Sequence, residues 1–266
     1  MVKHIVTSGC SFSDFSGTWA KLLNKKVNAN VYICGVSSAG NSWIAKSAIH
    51  QTNLLLKSGI NTNDISVIVM WSGIERKDLF ISANETVEYG KLVSILGPNP
   101  VSLIDTIPGS MPKSNYTDGY LLGTYHSYFE NKNITRIKQE LAMYYFSDEA
   151  MAIESYENFL RLQWFCESKK ITLINMTFKD IMYYPKMPWP TTKMLTKDYY
   201  RNIAPLYEML DLNKWLFWKD TGGLFEYVRD NSLELDKDEL HPAINSHEHF
   251  LDNFLVPKLE INNICY

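Results

Sequence analysis

No apolar run in this sequence approaches the ~20 residues that a membrane-spanning helix needs, so no transmembrane segment is expected. No secretory leader is expected either. Met1-Val-Lys-His runs straight into a short apolar strand, with no longer apolar stretch behind a basic start. Without that leader, the Asn-X-Thr sequons at Asn84, Asn115, Asn133 and Asn175 read as chance. Charge of one sign is scarce: 26 Lys and Arg stand against 29 Asp and Glu, a formal net charge of −3 with both signs interspersed. Neither nucleic acid nor an anionic membrane is therefore expected as a main partner. The four cysteines show no CxxC spacing. Cys10, Cys34 and Cys166 lie in apolar surroundings and read as small core residues, so nothing demands an oxidising compartment. No internal repeat or low-complexity tract is visible.

What remains is an ordinary globular chain. Its 266 residues, 45% hydrophobic, could bury a large core as one domain. Aromatics are plentiful, at 16 Tyr, 12 Phe and 7 Trp. Much of this belongs in a core, and an excess suits a surface for sugar or protein. The N-terminal third alternates short apolar runs with helical patterns. Strands are expected over 4–9, 30–34 and 65–71, with helices over 17–25 and 41–56. The third strand is apolar nearly throughout, as a central parallel strand should be. Such alternation predicts an α/β fold, a three-layer α/β/α sandwich around a parallel sheet with right-handed crossovers.

From about 81 to 146 the pattern breaks into Pro-, Gly-, Asn- and Tyr-rich sequence, too long for an ordinary connection. It is expected to form a cap beside the active end of the sheet. Order resumes at Ser147-Asp148-Glu149, which opens a long helix burying Ile153, Tyr156, Leu160 and Trp164. A fourth strand is expected over 171–176. Residues 183–190, with three prolines, exclude regular helix or central strand. Residues 212–228 are expected to pack over the sheet edge. Asn245-Ser-His-Glu offers a capping box for a last helix that Pro257 ends or kinks.

Three loops that follow strands carry reactive or permissive residues. Ser11 sits in Gly9-Cys10-Ser11-Phe12-Ser13, directly after the first strand, where a hydroxyl meets the free N–H groups of a starting helix. Helix capping explains such a serine equally well. Gly35-Val-Ser-Ser-Ala-Gly40-Asn41 follows the second strand. Gly40 there lets a backbone N–H approach a ligand, or simply makes a turn. Trp71-Ser72-Gly73-Ile-Glu75-Arg76 follows the third, with Glu75 and Arg76 reading as a structural pair or as rim residues. Near the C-terminus, Asp238-Glu-Leu-His241-Pro242 places an acid three residues before a histidine, a spacing at which a carboxylate can turn back to orient an imidazole base; a surface acid near a capping His is the plainer reading. His247 and His249 lie nearby but two apart on a predicted helix, so they do not share a face, and no metal site is expected.

Taken together, these blocks resemble the SGNH (GDSL-like) hydrolase superfamily. Gly9-Cys10-Ser11 matches its first block, with Cys where Asp is usual, and Gly40 matches its second. Asp238 with His241 matches its last block. The third departs: Gly-x-Asn-Asp is expected where Trp71-Ser-Gly-Ile-Glu-Arg stands. Gly9-Cys-Ser-Phe-Ser, Val69-Met-Trp-Ser-Gly-Ile-Glu-Arg, Gly222-Gly-Leu-Phe-Glu-Tyr and Asp238…His241-Pro…His247 look like a branch common in bacteriophage and environmental genomes. The resemblance implies a flavodoxin-like SGNH fold and a serine esterase that needs no cofactor. It implies Ser11 as nucleophile, His241 as base and Asp238 as orienting acid. The oxyanion would be held by the Ser11 and Gly40 N–H groups with Ser72, and Asn41, Glu75 and Trp71 would line the substrate side. The substrate class it implies is a short acyl ester, such as an O-acetyl group on a carbohydrate. A weakly active or inactive protein that keeps the fold and assembles into a virion or homo-oligomer is the alternative. A cytoplasmic or virion-associated location fits either reading.

Overall fold

The computed structural model describes residues 2–37, 39–74, 76, 78–82, 119–123, 148–182, 197–237, 241–261 and 264. Four parallel strands form its central sheet: β1 (His4–Ser8), β2 (Asn30–Ile33), β3 (Ile65–Trp71) and β6 (Thr172–Thr177), in the order β2-β1-β3-β6. All seven residues of β3 are buried. Its apolar run therefore reflects cover on both faces, the ordinary condition of a central parallel strand. Because β2 lies on one side of β1 and β3 on the other, the chain reverses direction across the sheet at β1. The crevice beyond the carboxyl end of β1 is thus the place where doubly wound sheets bind ligands.

Helices cover both faces in a three-layer arrangement. Helix α3 (Asn41–Lys57) packs on β1, β3 and α4 (Asp148–Lys169), while α2 (Trp19–Lys26) packs on β2 and the C-terminal helices. A short α1 (Ser11–Asp14) precedes α2. Strands β4 (Asp78–Ser82) and β5 (Gly119–Gly123) form a separate antiparallel pair. Of the segment expected as a cap, about 81–146, the end of β4 and all of β5 are described; the rest of 83–147 and the proline-rich 183–196 lie outside the described residues. Helix α5 (Lys197–Glu208) follows, and then Trp215 pairs with Asn175 beside β6, with the Leu216 N–H donating to the Asn175 carbonyl at 2.8 Å. The expectation that 212–228 runs along the sheet edge agrees with this pairing. No helix of the described residues is long and apolar enough to cross a membrane.

Two details differ from the sequence reading. Helix α7 (Ile244–Phe250) starts one residue before Asn245, with Ala243 at the N-cap. It does not stop at Pro257 but runs through a π-helical turn (Leu251–Leu255) into α8 (Val256–Ile261). Proline cannot donate to the preceding turn, and a wider turn just before it absorbs the lost bond.

Helix α6 (Leu224–Asp230) fixes the exit of β6. The Glu226 carboxylate accepts from the Gly223 N–H at 2.8 Å and the Asp180 N–H at 3.0 Å. Gly223 itself lies hard against backbone: a Cβ there would sit 2.3 Å from the Thr177 carbonyl oxygen and 2.7 Å from the Lys179 nitrogen. Backbone on both sides cannot give way cheaply. Gly223→Ala is therefore expected to destabilise the protein by about 2–3 kcal/mol. Thermal melting should show this as a midpoint lower by about 5–10 °C; an unchanged midpoint would mean that the close approach is absent.

Candidate active site

Ser11 is the first residue of α1, directly past the Gly9–Cys10 turn. That turn is held tightly. The Val36 N–H donates to the Gly9 carbonyl at 3.0 Å, and the Ser13 N–H donates to the Cys10 carbonyl at 2.8 Å. A Cβ on Gly9 would fall 2.1 Å from Ser13 Oγ, which in turn accepts from Trp19 Nε1 at 3.0 Å. Asp14 closes the other side, its Oδ2 accepting both the Ser37 N–H and the Ser37 hydroxyl at 2.9 Å. The loop after β2 is thereby tied to α1.

His241 arrives from the opposite end of the chain on a short paired segment. Leu235 bridges Pro242 in antiparallel fashion, with the Asp236 N–H donating to the His241 carbonyl at 2.7 Å and the Ala243 N–H to the Glu234 carbonyl at 3.1 Å. Phe12 and Phe15 flank the imidazole, with ring centroids 4.9 and 5.7 Å away. The result is a contact of 2.8 Å between Ser11 Oγ and His241 Nε2 across 230 residues of sequence. For the serine to donate, the imidazole proton must sit on Nδ1. Asp238 lies outside the described residues. Asp236 is described, and its Oδ1 accepts from the Lys237 N–H at 2.7 Å.

The other residues named from sequence are placed differently. Trp71 is fully buried against Phe159, and its Nε1 donates to Asn175 Oδ1 at 3.0 Å inside the sheet. Asn41 is buried too. Its Oδ1 accepts the Ser72 N–H at 2.9 Å, and its Nδ2 donates to Ser155 Oγ at 3.1 Å. Both were expected on the substrate side, and both instead join core elements through hydrogen bonds that burial makes obligatory. Ser72 has no exposed surface, and its buried hydroxyl has no hydrogen-bond partner among the described residues. Glu75 lies outside the described residues. The Gly40 N–H, expected to face an oxyanion, donates to Asp78 Oδ1 at 2.6 Å, while the other oxygen of Asp78 accepts the Trp43 N–H at 2.6 Å. Asp78 is thus a capping carboxylate supplied to α3 from another element. Burial pushes its pKa up and those two N–H groups pull it down.

A cleft of about 310 Å³ opens beside the serine and histidine. Its wall includes Phe15, Thr18, Asp236, Asn245 and His247 together with the two. His247 is buried, and its Nδ1 accepts the Trp19 N–H at 3.3 Å, so it caps α2. Burial first, and the neighbouring His241 second, push its pKa down to about 4. Sequence reasoning weighed this histidine as a metal ligand and counted it in the resemblance, and gave it no place in a cleft wall. Among the described residues no group of three His, Cys, Asp or Glu side chains is placed to hold a metal ion. Asp78 was missed altogether, since nothing in its local sequence announces a cap for a helix starting 37 residues earlier. No family model matches the chain, and no curated protein matches it.

Proposed function

We propose that the protein is a serine esterase of SGNH type acting on a short acyl ester, with an O-acetylated carbohydrate as the substrate class. The observation that supports this reading best is the 2.8 Å contact between Ser11 Oγ and His241 Nε2 beside an open cleft. In the proposed reaction Ser11 Oγ attacks the acyl carbon and its proton passes to His241 Nε2. The developing oxyanion is held by the backbone N–H of Ser11 at the start of α1. The bond to the alcohol oxygen then breaks, and His241 returns the proton to that oxygen. Water repeats the sequence on the acyl-serine and frees the acid.

The occupied Gly40 N–H supports a second reading, in which the fold serves assembly and hydrolysis is weak. A fluorophosphonate probe separates the two. Labelling confined to the peptide that carries Ser11, and slowed severely by His241→Ala, is expected for the esterase. A folded wild-type protein that takes no label and elutes as a large assembly would favour the scaffold.

A further inference from the structure

We propose that the cleft beside Ser11 and His241 seats the leaving alcohol of a carbohydrate ester, and that His247 donates from Nε2 to an oxygen of that alcohol. The inference rests on the esterase reading and adds where the alcohol lies and what holds it. In a serine esterase the base returns its proton to the departing oxygen, so that oxygen must come within hydrogen-bond reach of His241 Nε2. This cleft is walled by both Ser11 and His241.

Its lining suits a sugar. Phe15 is half-exposed, an aromatic face kept in solvent beside the reacting pair, and it stands edge-on to His241. Around it are a hydroxyl on Thr18, an amide on Asn245 and a carboxylate on Asp236. An exposed ring among hydrogen-bonding groups is the mixed surface that binds a molecule with apolar C–H faces and polar edges.

His247 is the member of this wall whose proton is settled by geometry. Because its Nδ1 accepts the Trp19 N–H, the neutral ring carries its hydrogen on Nε2. That position makes no hydrogen bond within the described residues, on a side chain that forms part of the cleft wall. The depressed basicity keeps the ring neutral at pH 7, so it stays a donor and does not compete with His241 for the serine proton.

The two amide side chains divide the imidazole between them. His247→Asn keeps an acceptor where Nδ1 was and loses the donor; His247→Gln keeps a donor near Nε2 and loses the cap on α2. The measurement is the ratio of kcat/KM for 6-O-acetylglucose to that for ethyl acetate, two acetates of primary alcohols that differ in the hydroxyls and ring. We expect the wild type to prefer the sugar ester. His247→Asn should lower the ratio about tenfold, the worth of one hydrogen bond to substrate. His247→Gln should keep the ratio while melting at a lower temperature. A merely structural role would give the reverse order, and that result overturns the inference, as does a wild type indifferent to the two esters. Hydrolysis of neither ester by the wild type would overturn the esterase reading and this inference with it. Hydrolysis of both with an unchanged ratio in His247→Asn would overturn this inference alone.

Discussion

Replacing Ser11 with Ala is expected to abolish hydrolysis of a small ester such as p-nitrophenyl acetate while the protein stays folded. The hydroxyl is the only atom removed, and it gives up one hydrogen bond to His241, a loss of about 1 kcal/mol. The kinetic loss is of another order. Removing one member of a nucleophile–base pair typically costs about 10⁴-fold or more in turnover, because the groups act as a unit. His241→Ala should be about as damaging, and the double variant little worse than either single one. Steady-state rates with a folded, circular-dichroism-matched set of variants check this. Activity that survives in Ser11→Ala would place the chemistry elsewhere. The engaged Gly40 N–H sets the scale of the wild-type rate itself. One oxyanion donor is commonly worth about 10²–10³ in turnover. A slow wild type is therefore the expected baseline, and a fast one would require Asp78 to release that N–H in the complex.

The second large effect is on acid stability. His247 has its pKa lowered from 6.5 to about 4 in the folded protein, first by burial and then by the adjacent His241. Between those two values the unfolded chain binds the proton and the folded chain does not. Stability therefore rises with pH across this window and is lost as pH falls from about 6.5 through about 4. The shift corresponds to about 3 kcal/mol at full development. Urea unfolding of wild type and His247→Asn at a series of pH values should show the difference between them changing by about this amount over that window and flattening above it. A difference independent of pH would mean that the ring charges as readily folded as unfolded.

Much of the fold could be read from the chain. The apolar run of β3, the glycine ending β1 and the helical spacing in α3 each follow from short-range physics, and the parallel sheet follows from their alternation; in α4 the spacing placed Tyr156 and Leu160 inside correctly, whereas Trp164, also expected inside, is exposed. Ser11 could be singled out for the same reason, as a hydroxyl where a strand turns into a helix. Trp71 was misjudged because a strand buried on both faces loses the alternation that separates core from surface. Its last residue then looks like the start of a loop, although its indole is bonded to Asn175 in the next strand. Asn41 followed a glycine at a helix start, the usual setting of a ligand-facing amide. Only the long-range contacts with Ser72 and Ser155 reveal it as a tie between elements. Asp78 and His247 act on helices far from them in sequence, and no local pattern records such a partnership.

The segment that delivers His241 has a consequence for synthesis. The pairing of 234–236 with 241–243 is local, whereas the contact of His241 with Ser11 closes a loop of almost the whole described chain. Contacts so distant along the chain form late, because the ordering entropy of everything between them must be met first. On a ribosome, β1, β2, α3 and β3 can emerge and begin to pair while Ser11 has no base within reach. On the esterase reading, a nascent chain therefore carries an unactivated serine until the region around residue 241 has left the exit tunnel. On the same reading, a product that ends between residues 71 and 241 contains the segments of β1, β2 and β3 and lacks the base for Ser11.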